Sequence, residues 1–122
     1  MEVLIDTNFI LSALKKKIQI FEEFDRLDFD VVIPEQVIDE IKKLLGNKEK
    51  SYADREVCSV ALQLIDKKNV KIIKLNKKYV DAGIIDYCSK NSCFVATLDK
   101  ELKMKLRGVR FVIIRGGGFE VV

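Results

Sequence analysis

Residues 3–8, Val3-Leu4-Ile5-Asp6-Thr7-Asn8, pass in six positions from branched apolar side chains to an acid, a hydroxyl and an amide. The apolar triplet reads as a short strand buried on both faces. The residues from Asn8 to Lys17 read as a helix, so Asp6 falls at the joint between the two.

The same alternation continues along the chain. A short helix is expected through Phe21, Phe24 and Leu27, then a strand at Val31-Val32-Ile33 stopped by Pro34. Glu35 to Leu45 is helical and ends at Gly46-Asn47, a helix stop signal. A polar loop, Lys48–Ser51, precedes a long helix from Tyr52 to Lys68, with Val57, Val60, Ala61, Leu64 and Ile65 along one face. Val70–Leu75 is a third strand, Lys78–Lys90 a helix, and Cys93–Thr97 a fourth strand. Lys100–Arg107 is a short helix and Arg110–Ile114 a fifth strand. A glycine-rich turn over Arg115–Gly118 then leads to a short terminal strand at Phe119–Val122. Strand–helix alternation of this kind predicts an α/β fold: a three-layer α/β/α sandwich around a central, mainly parallel five-stranded sheet. The 122 residues suit a single domain spanning 1–122.

Composition narrows the chemistry. Histidine is absent, which removes the Ser-His-Asp and Cys-His triads and every zinc site that needs an imidazole. The three cysteines, Cys58, Cys88 and Cys93, are irregularly spaced and read as buried reduced thiols rather than a disulfide framework. No apolar run approaches the roughly 18 residues of a membrane span. The opening residues lack the pattern of a secretory signal, so the expectation is a cytoplasmic protein without a membrane partner. A net charge of +3 from 22 basic and 19 acidic residues biases the chain weakly toward polyanions. Lysines gather at Lys15–Lys17, Lys42–Lys43, Lys67–Lys68, Lys77–Lys78 and from Lys100 to Arg107.

Four acids stand where a merely structural reading fits poorly. Asp6 and Asp99 follow strands directly, at the carboxyl edge where open α/β sheets bind ligands; helix capping is their competing role. Glu40 lies three residues after Val37 and four before Leu44, on the apolar stripe of its helix. Asp81 bears the same relation to Ile84, Ile85 and Cys88. An acid on such a stripe needs a cationic partner, either a buried lysine or arginine or a metal ion. Oxygen ligands without His or Cys select Mg²⁺ or Mn²⁺, as one or two ions. Thr7, Asn8 and Thr97 stand beside these acids as supporting groups, with capping or an ordinary strand role as the alternative. Asp39 and Asp86 are phased toward solvent.

These residues carry a resemblance to a known family. Val3-Leu4-Ile5-Asp6-Thr7-Asn8, Ile33-Pro34 through Val37 to Glu40-Ile41, Asp81-Ala82-Gly83-Ile84, and Ala96-Thr97-Leu98-Asp99-Lys100-Glu101-Leu102 resemble, in order, the four motifs of PIN-domain nucleases. The resemblance covers essentially the whole chain. It implies Mg²⁺- or Mn²⁺-dependent cleavage of single-stranded RNA, with Asp6, Glu40, Asp81 and Asp99 as catalytic, metal-holding acids and Thr97 as a supporting hydroxyl. Ala82 stands where some members carry a second acid, and Asp86 is then the candidate auxiliary carboxylate. Two branches fit: archaeal nucleases that process ribosomal RNA, and the toxins of toxin–antitoxin pairs. Homodimers and a ribosome-assembly or antitoxin protein are the partners those branches imply.

The chemistry expected of such a site is phosphodiester hydrolysis. A metal lowers the pKa of a bound water, hydroxide attacks phosphorus in line, and the metal charge offsets the developing negative charge. Aromatics make up only 8% of the chain and most fall on apolar stripes, so accessible single strands rather than read bases are the expected substrate. A non-catalytic PIN-like scaffold binding RNA or protein is the rival. A phosphoryl-accepting receiver domain is a weaker one, because it calls for an acidic pair after the first strand, where only Asp6 stands.

Overall fold

The protein is described, as a computed structural model, over residues 1–122. The chain forms β1 (Glu2–Ile5), α1 (Thr7–Lys15), α2 (Ile20–Arg26), β2 (Asp30–Pro34), α3 (Glu35–Leu45), α4 (Tyr52–Lys67), β3 (Lys71–Ile73), α5 (Val80–Lys90), β4 (Cys93–Ala96), α6 (Lys100–Lys105), β5 (Phe111–Arg115) and β6 (Gly118–Val121). The sheet runs in the order β3-β2-β1-β4-β5-β6. The first five strands are parallel to their neighbours, as the alternation predicts. The sixth departs from the five-stranded expectation. The glycine-rich turn, with Gly116 at φ 60°, is tight enough to fold the terminal residues back as a hairpin, so β6 pairs antiparallel with β5. A side-chain clamp from α2 secures that edge: Phe119 N donates to Glu23 Oε1 at 2.9 Å, and Arg26 Nη2 donates to the Phe119 carbonyl at 3.1 Å.

The two-residue period of the strands sorts the core into two layers. Val3 and Ile5 point to one face, where they join 17 further buried residues contributed largely by α1, α2, α3 and α4. Leu4 and Val95 point to the other, where a smaller cluster of seven packs against α5 and α6. Helices therefore cover both faces, and the three layers follow.

The chain moves outward from β1 through β2 to β3, then returns to lay β4 on the other side of β1. Strand order thus reverses between β1 and β4, and the loops after those strands diverge to opposite faces. Such a switch point leaves a crevice at the carboxyl edge of the sheet. Asp6 ends β1, and Thr97 and Asp99 follow β4, so the register Ile5↔Ala96 brings all three to this crevice.

α5 reaches the same edge through a close approach. A Cβ on Gly83 would lie 2.7 Å from Leu75 Cβ, and both residues are buried. Alanine ordinarily favours a helix over glycine by about 1 kcal/mol. Here overpacking against a buried neighbour costs about 1–3 kcal/mol, and the steric cost wins. Gly83→Ala is expected to lower the urea midpoint of unfolding, with a net loss on the order of 1–2 kcal/mol; an unchanged or raised midpoint would contradict this packing.

Candidate active site

The site is built from the strand ends upward. Asp6 leaves β1 in extended conformation and serves as the N-cap of α1. Its Oδ1 accepts the Thr7 backbone N–H at 2.8 Å and its Oδ2 accepts the Thr97 hydroxyl at 3.0 Å. The Thr97 oxygen in turn accepts the Asp99 N–H at 3.1 Å. The Thr7 hydroxyl donates across to Glu40 Oε2 at 3.2 Å, tying α3 to the start of α1. One continuous set of hydrogen bonds therefore joins Asp99, Thr97, Asp6, Thr7 and Glu40.

Thr7 and Thr97 are the two buried polar residues of the molecule, at 1% and 0% exposure. Both hydroxyls are committed to carboxylates. Burying a hydroxyl without a partner costs free energy, so these two fix where the acids sit.

Capping and site position turn out to be compatible. Asp99 caps α6 through Oδ1, which accepts from Glu101 N and Leu102 N at 2.9 and 3.3 Å, and this leaves its second oxygen for another partner. Asp81 lies in the first turn of α5, half-buried. Glu40 differs from its helical phase. The phase places it on the buried stripe, but the residue is exposed, because the side of the helix it occupies opens onto a groove, whereas Ile41 beside it is fully buried. Asp86 stands apart from the others. Its carboxylate meets Lys90 at 3.3 Å, in a separate hollow of about 340 Å³ beside Lys74, Leu75 and Asn76.

The electrostatics follow from this placement. Burial, chiefly, pushes the Asp6 carboxyl above the usual range; the bonds from Thr97 and Thr7 pull it down, and the charges of Glu40 and Asp81 push it up again. None of Asp6, Glu40, Asp81 or Asp99 forms an ion pair with lysine or arginine. The cationic side chain that would make these acids structural is therefore absent. No three of the acids converge closely enough to enclose an ion unaided. An excess of carboxylate without a protein cation suits a hard divalent ion that retains several waters, as Mg²⁺ does.

Beside the acids lies an open groove of about 570 Å³. Asn8, Ser12, Glu40 and Asp99 line it together with Leu98, and Lys15 and Lys50 also border it. Lys15 is paired with Asp54 at 3.0 Å, whereas Lys50 forms no ion pair. Sequence reasoning missed Ser12 and Lys50. Ser12 lies four residues after Asn8 and so shares its helix face, a signal that was there to be found. Lys50 comes from the loop between α3 and α4, whose path no local pattern predicts.

Comparison with known proteins agrees with this architecture. Residues 3–117 match the family described as PIN-like domain. The chain belongs to that family. Among solved structures it is similar to that of the PIN domain endonuclease Utp24, at 27% identity and a TM-score of 0.79, over 98% of this chain and 90% of that one. It also shares its fold with a domain of a functionally unknown protein from Methanocaldococcus jannaschii DSM 2661, at 17% identity and a TM-score of 0.60, over 99% and 96% of the two chains. No curated protein matches the chain. The resemblance read from the four sequence motifs is thus correct at the level of family and fold, and the fold is that of a nuclease family. No helix is long and apolar enough to cross a membrane.

Because Asp6 holds its proton more tightly folded than unfolded, folding stability falls as pH rises from the usual carboxylate range through the raised value of Asp6. Asp6→Asn removes that penalty. The variant is expected to melt at a higher temperature than the wild type at pH 7 in the absence of metal, and the difference should close near pH 3, where both proteins are neutral at this position. A lower melting temperature for the variant at pH 7 would refute the electrostatic account.

Proposed function

We propose that this PIN-like domain is a divalent-metal-dependent endoribonuclease that hydrolyses phosphodiester bonds in single-stranded RNA. The observation that carries the proposal is the half-buried Asp6 at the switch point, crowded by Glu40 and Asp81 and left without a protein cation. Keeping uncompensated acids together costs stability, a cost that a site with a chemical task explains and a bare scaffold does not.

Asp6, Asp81 and Asp99 would hold the cation in part through its bound waters, since no three of them converge on one point, with Glu40 at the solvent side. When bound, the cation supplies positive charge for the scissile phosphate and lowers the pKa of water. Thr97 and Thr7 hold the Asp6 carboxylate in one orientation through the hydrogen bonds described above. The Asn8 amide and Ser12 hydroxyl offer donors to phosphate or ribose oxygens along the groove. Lys50, without an acidic partner, supplies a point charge for the backbone. Leu98, exposed between Thr97 and Asp99, offers an apolar surface to an unstacked base. The reaction class is hydrolysis: water adds to phosphorus and a ribose oxygen leaves. Ribosomal RNA as the substrate rests on the sequence resemblance alone.

The expected outcome is cleavage of an unstructured RNA in Mn²⁺ or Mg²⁺ and none in excess EDTA. Asp6→Asn, Asp81→Asn and Asp99→Asn should each lower kcat/KM by roughly a hundredfold or more, the several kcal/mol that metal assistance supplies, with circular dichroism unchanged. Lys50→Ala should raise KM and flatten the salt dependence, leaving kcat near wild type. Equal activity in EDTA or in the three aspartate variants overturns the proposal.

A further inference from the structure

Away from the acids, at the amino-terminal edge of the sheet, two thiols face each other. Cys88 lies in the last turn of α5, and Cys93 is the first residue of β4. Their sulfurs are 3.2 Å apart. The turn between them is held by its own hydrogen bonds: α5 ends at Asn91, which switches to extended backbone, while its N–H and its Nδ2 both donate to the Tyr87 carbonyl, at 2.9 and 3.0 Å. A disulfide has a sulfur–sulfur length of about 2.0 Å, so each sulfur has to move by only roughly half an ångström.

We propose that Cys88 and Cys93 are a reversible dithiol–disulfide pair, a modification site in which a low-molecular-weight disulfide oxidises the two thiols to an intramolecular bridge. The two sulfurs differ in ways that set the order of events. Cys88 is half-buried, whereas Cys93 is 8% exposed. The hydrogen bond between the sulfurs holds Cys88 below the usual thiol range, and the same bond, with burial, pushes Cys93 up. Cys88, the sulfur a reagent in solution can reach, is therefore the attacking group. Its sulfur bonds to one sulfur of the reagent, whose own S–S bond breaks, and the released thiolate takes the Cys88 proton. The Cys93 sulfur then bonds to Cys88 Sγ, the mixed disulfide breaks, and a second thiolate leaves with the Cys93 proton. The protein loses two electrons and the reagent is reduced to two thiols.

The bridge ties the foot of α5, which carries Asp81 at its other end, to the foot of β4, which leads to Thr97 and Asp99. Cys58 has no thiol within reach and cannot close an internal disulfide.

Trypsin separates the two cysteines into the peptides Tyr79–Lys90 and Asn91–Lys100. The native protein is incubated with oxidised glutathione, its remaining thiols are alkylated, and it is digested without reductant. The expected product is these two peptides joined, lighter by two hydrogen atoms than their sum, and separated again by dithiothreitol. Cys93→Ser should stop the reaction at glutathione attached to Cys88. Recovery of both peptides singly alkylated, or stable glutathione on wild-type Cys88 without closure, overturns the proposal. Preferential attachment to Cys93 in Cys88→Ser, matching the rate at Cys88 in Cys93→Ser, overturns the assigned order.

Discussion

The parallel pairing of β1 with β4 is the constraint on which the rest of the molecule depends. These strands are central in the sheet yet distant in sequence, and the Asp6 N–H continues their ladder by donating to the Ala96 carbonyl at 3.0 Å. That bond sets the end of β1 level with the end of β4, and so sets Asp6 opposite Thr97. A slip of one residue would turn Val3 and Ile5 to the lighter face and Leu4 to the heavier one. It would also carry Asp6 away from the threonine that holds it. The hydrophobic sorting of the core and the assembly of the acids are thus two outcomes of one register.

Given that register, two threonines complete the arrangement. Thr97 receives from the Asp99 backbone and donates to Asp6, so a single hydroxyl fixes acids that follow two different strands. Thr7 does the same between α1 and α3 through Glu40. Asp6 and Glu40 therefore owe their orientation to a threonine on another element. The Asp6 carboxylate itself opposes the fold, since burial and the charges of Glu40 and Asp81 disfavour its charge. A protein tuned for stability alone would place lysine or asparagine here.

Much of this was legible in the sequence, and the exceptions have physical causes. Short Val- and Ile-rich runs separated by helical periods define buried parallel strands, and the elements appear in the expected order, with ends that differ by at most two residues. The terminal strand was visible as a pattern, but its direction depended on the tightness of the turn before it. Glu40 shows the limit of helical phase: periodicity tells which side of a helix a residue shares with its apolar neighbours, not whether that side is covered there or opens onto a groove. Asp86, entertained as an auxiliary acid through resemblance, is held by Lys90 four residues on, a pairing that helix spacing alone predicts. For Asp6 and Asp99, capping does not exclude a second partner, because a cap uses only part of a carboxylate's hydrogen-bonding capacity. Lys50 and the facing thiols depend on loop paths that carry no periodic signal.

The unequal size of the two cores has a further meaning. Nineteen buried residues hold one face of the sheet and seven hold the other. Apolar burial scales with such contacts, so the layer of α5 and α6 is the part that opens first in local fluctuations, well before the sheet and the heavier helices give way. Asp6 and Glu40 belong to the durable side; Asp81 lies within the lighter layer and Asp99 caps it. Breathing of that thin layer would take the acid cluster apart and put it together again without unfolding the protein.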